Sequence, residues 1–243
     1  MGVKPSTKIL GFSMSTSTRL EASLTLSETI AERLRANIAS GRLMPGTRLH
    51  LDELRADFGV SLSPLREALS RLSAEGYVMT EGRRGYTVAP VSPDNLREVT
   101  RLRCEFESFA LRESIRLGDD QWEGEIIAAL YRLNKLERVN IEGEQLALWE
   151  SAHAHFHRQL ICACDLPLLL QFCATLHDLN DRYRRIFLRD VPIDRDVRQE
   201  HEALCEATVS KRADDACELL RRHIERSAEY ALRALMAQQT VTQ

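Results

Sequence analysis

The sequence predicts a mostly α protein in two parts: three short helices closed by a small β-hairpin, then an all-α antiparallel bundle of six helices. Three observations carry this. Apolar residues recur at helical spacing along most of the chain. Two short β-type runs, 77–80 and 86–89, flank the tip Glu81-Gly82-Arg83-Arg84-Gly85, as in a hairpin. Pro90 and Pro93 then mark a boundary, and from Asp94 onward the pattern is helical to the end. Three regions follow: a Ser/Thr-rich arm at 1–23, a small unit at 24–92 and a helical domain at 93–243.

The first helix is expected over about 26–40, where Ile30, Leu34 and Ile38 fall at i, i+4 and i+8. Ser27 and Glu28 suit its start and Gly41 its end. After the turn Met44-Pro45-Gly46-Thr47 and a short apolar stretch at 48–51, a second helix fits Leu51–Phe58, with Gly59 just beyond it. Ser61 opens a third, running from Ser63 to Leu72. Pro64 stands in its first turn, where a missing amide hydrogen leaves no helical bond unmade. The bundle helices are expected at about 94–117, 119–140, 143–164, 167–189, 194–210 and 212–238. Breaks fall at Gly118-Asp119, Gly143, Asp165-Leu166-Pro167, Pro192 and Lys211. Short connections between long amphipathic helices make neighbours antiparallel.

Bulk properties narrow the class. The 243 residues suffice for two ordinary domains, and 44% hydrophobic with 28% charged residues is the balance of a globular protein. No apolar run approaches the roughly 18–20 residues of a membrane span. The arm at 1–23 lacks the long apolar region and cleavage site of a secretory signal, so a cytoplasmic location is expected. Six cysteines, at 104, 162, 164, 173, 205 and 217, all lie in expected helices, which suits reduced, mostly buried thiols. The net charge is −3. Residues 24–92 carry 9 Lys/Arg against 8 Asp/Glu, and residues 93–243 carry 21 against 27. Nucleic-acid binding must therefore be argued from where the arginines stand, not from their number.

They stand in suggestive places. Three helices and a two-stranded wing describe a winged helix-turn-helix, whose third helix enters the major groove of DNA. Arg66 and Arg71 lie on that helix, and Arg83 and Arg84 at the wing tip. A guanidinium fork matches the edge of guanine, and its fixed charge matches phosphate.

Particular strings go further. The runs Ile38-Ala-Ser-Gly-Arg-Leu-Met-Pro-Gly-Thr-Arg-Leu, Phe58-Gly-Val-Ser-Leu-Ser-Pro-Leu-Arg-Glu-Ala-Leu and Arg84-Gly-Tyr-Thr-Val resemble the GntR family of bacterial regulators over about 24–92. The resemblance implies that Arg35, Arg66 and Gly85 approach DNA, with Ser61 and Ser63 at the start of the recognition helix beside them. The family usually has Arg after the first of those serines. Leu62 stands there, which puts the usual operator sequence in question.

Residues 94–230 are similar to the FCD ligand-binding domain of the FadR subfamily. The resemblance lies in Leu102-Arg103-Cys-Glu-Phe-Glu107, Phe156-His157-Arg-Gln-Leu, Glu200-His201-Glu-Ala-Leu and Arg222-His223-Ile224. It implies that His157, His201 and His223 bind a divalent metal. The usual fourth ligand, an Asp four residues before the first of these, is replaced by His153. His153 and His157, at i and i+4, project from one helix face, and imidazoles suit Zn or Ni. Four neutral imidazoles would leave the metal its full positive charge; the alternative is that His153 does not coordinate. His155 and His50 are expected to stand apart.

Arg103 is the first candidate to grip a ligand carboxylate, although Glu107, four residues on, can hold it in an ion pair instead. His177, Arg182 and Arg185 are further ligand candidates. The expectation is a homodimer on a palindromic double-stranded operator, answering to a small organic acid, with no membrane and no enzymatic activity. The alternative is a metal-dependent hydrolase. Against it, Ala154 follows His153 where an HExxH helix would carry its Glu.

Overall fold

The structure is a computed structural model that describes residues 25–80, 85–136, 143–187 and 196–241. The N-terminal unit contains α1 (Leu26–Ala39), β1 (Arg48–Leu49), α2 (Leu51–Phe58), α3 (Leu62–Ala74), β2 (Val78–Thr80) and β3 (Tyr86–Val88). The bundle follows as α4 (Pro93–Leu117), α5 (Asp120–Asn134), α6 (Gly143–Ile161), α7 (Pro167–Phe187), α8 (Val197–Val209) and α9 (Ala213–Val241). A 3-10 turn, Cys162–Cys164, closes α6. The expected arm lies outside the described residues, as do the wing-tip positions 81–84.

Most elements stand where periodicity places them. Helix α1 begins at Leu26 as expected, but its cap is Thr25 rather than Ser27: Thr25 forms a capping box with Glu28, its hydroxyl accepting from the Glu28 amide at 3.2 Å. The hairpin is wider than expected, a three-stranded antiparallel sheet of order β1-β3-β2. In it Arg48 stands opposite Thr87, and Met79 opposite Thr87 on the other side. Helix α5 ends at Asn134, short of the expected 140, because the Leu136 amide turns back to the Leu133 carbonyl. At Gly118 a Cβ would lie 2.1 Å from the Trp122 ring, so only glycine lets α4 close onto α5 there.

Two apolar clusters hold these parts. In the first, Ile30, Leu34 and Ile38 of α1 pack on Leu65, Leu69 and Leu72 of α3, and Tyr77, Val78 and Val88 close the end. Each fully buried side chain of this kind contributes roughly 1.5–3 kcal/mol. The second joins Leu111, Trp122, Ile126, Phe156, Leu160, Leu204, Leu220 and Ile224 across the bundle. All six cysteines are free and only Cys162 is exposed.

Helix α7 ties the two parts together. Leu179 packs against the N-terminal cluster. The Arg182 Nη1 donates to the Ala89 carbonyl at 3.2 Å. One residue further, the Tyr183 hydroxyl donates to Asn95 Oδ1 at 2.7 Å and accepts from the Ser92 amide at 3.3 Å.

Candidate functional site

The bundle buries a cluster of histidines. His153 and His157 come from α6, His201 from α8 and His223 from α9, all four buried, and one ring nitrogen of each lies within 4.8 Å of the others. Ring centroids stand 4.6 Å apart for His153–His157, 5.0 Å for His157–His223 and 4.7 Å for His201–His223. The α6 pair shares a face because four residues make just over one turn. One turn earlier, Trp149 stacks on His153 at 4.9 Å with 19° between the rings.

Burial, reinforced by the neighbouring rings, holds His153 and His157 well below the usual imidazole range. Both are therefore neutral near pH 7, the form in which imidazole donates to a cation. The Nδ1 of His153 and both ring nitrogens of His157 find no hydrogen-bond partner among the described residues. A buried polar atom left this way costs about 1–3 kcal/mol. Glu200 orients the remaining face: its Oε2 lies 2.8 Å from His223 Nδ1, and its Oε1 accepts from Arg226 at 3.1 Å. With Nδ1 held by a carboxylate, His223 would offer its Nε2 lone pair to a metal. The donor set fits a divalent metal.

The other expected ligand-binding residues divide. His177 on α7 flanks the cluster, its ring 5.8 Å from His157 and 6.4 Å from His153. Arg103 is buried and committed to Glu107 through Nε at 2.7 Å and Nη2 at 3.3 Å, the ion-pair alternative. Arg182 lies at the seam with the N-terminal unit. Arg185 pairs with Glu150 at 3.0 Å. Sequence reasoning passed over Arg184, which is nearer the cluster's wall: it lies over the Trp149 ring at 5.4 Å and donates to Asp181 at 3.1 Å. Its Nη2 is buried and lacks a partner among the described residues. Burial pushes the Asp181 carboxyl up, but Arg184, His177 and Arg185 outweigh it and hold it below the carboxylate range. Three-residue spacing from Asp181 was the one sequence signal for Arg184, and for Glu200 only its place beside His201. His155 stands outside the cluster, facing Arg158 and Arg132.

A second surface is formed by α3. Ser61 is its N-cap with no side-chain capping bond, and Ser61, Ser63 and Arg66 are exposed. The first amides of α3 thus lack a side-chain cap at an exposed helix end. Arg66 makes no ion pair among the described residues, while Arg71 pairs with Glu28 at 3.2 Å. Arg35 is held by Glu75, with Nη2 at 2.6 Å and Nε at 3.2 Å. Gly85 takes φ +110, a conformation that disfavours a side chain. Arg83 and Arg84 lie outside the described residues.

Residues 26–88 match the gntR family of bacterial regulatory proteins, and residues 98–226 match the FCD domain. The chain is 37% identical to the HTH-type transcriptional regulator BphR of Paraburkholderia xenovorans (strain LB400), over 83% of each protein. The chain belongs to the GntR family. Another GntR relative is the HTH-type transcriptional repressor GlaR of Escherichia coli (strain K12), 32% identical over 79% of this chain and 89% of GlaR. Among solved structures, E. coli McbR/YncC shares the fold, with a TM-score of 0.73 at 21% identity over 90% of this chain and 100% of that one. This GntR protein is a transcriptional regulator with an FCD domain, not an enzyme, and the hydrolase alternative gains no support. Among the described residues no helix is long and apolar enough to cross a membrane.

Proposed function

We propose that this regulator binds a palindromic operator as a homodimer, and that a small organic acid, bound beside a divalent metal at the four histidines, alters that binding. The observation that carries the reading is the histidine cluster itself: four buried imidazoles from three helices, with His153 and His157 nitrogens lacking hydrogen-bond partners. Zn or Ni suits an all-imidazole donor set. Such a metal, when bound, supplies a positive charge to which a carboxylate is drawn. Arg184 near His153 and Arg103 near His157 bring further positive charge, balanced by Glu150 and Asp181 and by Glu107. His177 lines the same wall.

On the DNA side, the exposed start of α3 (Ser61, Ser63, Arg66) enters the major groove, and Arg35, Arg71, Gly85 and the wing-tip Arg83 and Arg84 meet the backbone and the neighbouring groove. The dimer is supported by an exposed apolar face on α4 and α7. Leu102, Phe106, Phe109, Leu168 and Phe172 lie there, with the Phe106 and Phe172 rings stacked at 6.4 Å. A closed two-fold pair covers such a face and matches an operator of the same symmetry. A DNA-binding protein of this kind works in the cytoplasm.

Gel retardation with DNA from the neighbouring operon, with and without carboxylic acids, tests the reading. Retention at low salt that shifts with one acid and the metal is expected. No retained fragment under any of these conditions would overturn it.

A further inference from the structure

Helix α7 carries two sets of side chains on opposite sides, and only one of them belongs to the histidine cluster. His177, Asp181 and Arg184 follow one another at spacings of four and three, which keeps them on one face. The His177 ring stands 5.8 Å from that of His157. Asp181 accepts from Arg184, whose guanidinium lies over the Trp149 ring that stacks on His153. Leu179, Arg182 and Tyr183 fall at i, i+3 and i+4. At about 100° per residue the two sets point about 180° apart.

The second set grips the N-terminal unit and the connection that follows it. Leu179 lies over the turn at Gly76 and packs into the N-terminal core. Arg182, fully buried, donates to the Ala89 carbonyl at 3.2 Å. The Tyr183 ring is fully buried among Leu96, Ala228, Ala231 and Leu235, so α4 and α9 fix its place. Its hydroxyl donates to Asn95 Oδ1 at 2.7 Å and accepts from the Ser92 amide at 3.3 Å. Ser92 in turn caps α4, its Oγ accepting from the Asn95 amide at 3.1 Å. One phenol thus holds both the cap of α4 and its first turn.

We propose that Tyr183 is a positioning residue for the connection between the two domains: through its hydroxyl, α7 transmits occupancy of the histidine cluster to residues 89–95. The inference rests on the reading of that cluster as a metal site. Over two turns a helix moves as a rod, so a small displacement at His177 or Asp181 reappears at Tyr183. Hydrogen bonds weaken steeply as distance and angle depart from their optimum, whereas non-directional apolar contacts such as that of Leu179 tolerate small slips. The Tyr183 bonds are therefore where a shift of α7 is felt first. They stand where the chain leaves the DNA-binding unit for the sensor.

Amide hydrogen exchange on the full chain, with chelator or with saturating Zn alone, tests this for wild type, Tyr183→Phe, Asn95→Leu and Asn95→Asp. In the wild type, Zn is expected to slow exchange in α6, over 146–161. It should also change exchange over 89–96 by about twofold to tenfold, the range that one hydrogen bond supports. Tyr183→Phe, which removes only the hydroxyl, should keep the α6 response and lose the one at 89–96. Asn95→Asp keeps an acceptor for Tyr183 and should behave as wild type. Asn95→Leu removes that acceptor and is expected to diminish the response at 89–96 in the same way, should Tyr183→Phe fail to fold. Thermal melting accompanies each protein. A response in α6 with none at 89–96 in the wild type, or an undiminished response at 89–96 in folded Tyr183→Phe, overturns the proposal. Exchange unchanged by Zn in both segments would instead remove the metal reading, and the proposal with it.

Discussion

The N-terminal unit and the bundle treat polar side chains in opposite ways. In the first, the core is almost wholly apolar, from Ile30 and Leu34 to Leu69 and Val88, and the charged groups lie at the surface or the seam in pairs such as Arg71–Glu28 and Arg35–Glu75. The bundle instead buries His153, His157, His201, His223, Arg103, Glu107 and Asp181 between its helices. A GntR regulator can present DNA-binding groups on a rigid scaffold, since phosphate and base edges come to its surface. A small-molecule site needs enclosure, so its polar groups must be buried and their desolvation offset by partners. On the proposed reading, the first half keeps its function outside its core and the second places it inside.

Substitutions that act on each half should differ accordingly. The largest effect is expected from Leu69→Ala, which empties a fully buried position of the apolar core and costs about 2–5 kcal/mol. Chemical denaturation followed by circular dichroism measures it, and a loss below 1 kcal/mol would mean that this core is not close-packed. Next comes metal saturation. Zn or Ni at about 100 times its dissociation constant is expected to add about 2.7 kcal/mol of stability. Chelation should remove that gain, and His157→Ala should abolish it. A thermal-shift series reads it, with Trp149 fluorescence, stacked on His153, as a local probe. An equal gain in His157→Ala would place the metal elsewhere.

The smallest effect on stability, under about 1 kcal/mol, is expected from Arg71→Ala, because its ion pair with Glu28 is exposed. Its operator affinity should nevertheless fall, with a salt slope reduced by about one if the contact is to phosphate. Stability loss without any change in DNA binding would move Arg71 from the DNA surface into the scaffold.

Much of the fold was legible because its signals are local. Ile30, Leu34 and Ile38 mark α1 by spacing alone, and Gly59 and Gly76 end α2 and α3 in left-handed turns. Strand β1 was not legible: two residues, Arg48 and Leu49, become a strand only through pairing with Thr87 and Tyr86 of β3, beyond any local window. At the site, His153 and His157 were legible from their i, i+4 spacing, and His201 and His223 from family strings. Whether Arg103 faces a ligand or Glu107 was open in the sequence, and helix geometry closes the pair. Arg182 stood among the ligand candidates as an arginine of the fourth bundle helix. Three residues past Leu179, however, it falls on the seam side of α7. Glu200 and Arg184 acquire their places only when α7, α8 and α9 come together around α6.

Metal content of the purified chain, after dialysis against Zn or Ni and then against buffer, tests the buried cluster most directly. One divalent ion per chain in the wild type is predicted, with none retained by His157→Ala and weaker retention by His153→Ala. A wild-type chain that leaves dialysis without metal, or a His157→Ala chain that keeps a full equivalent, would contradict it.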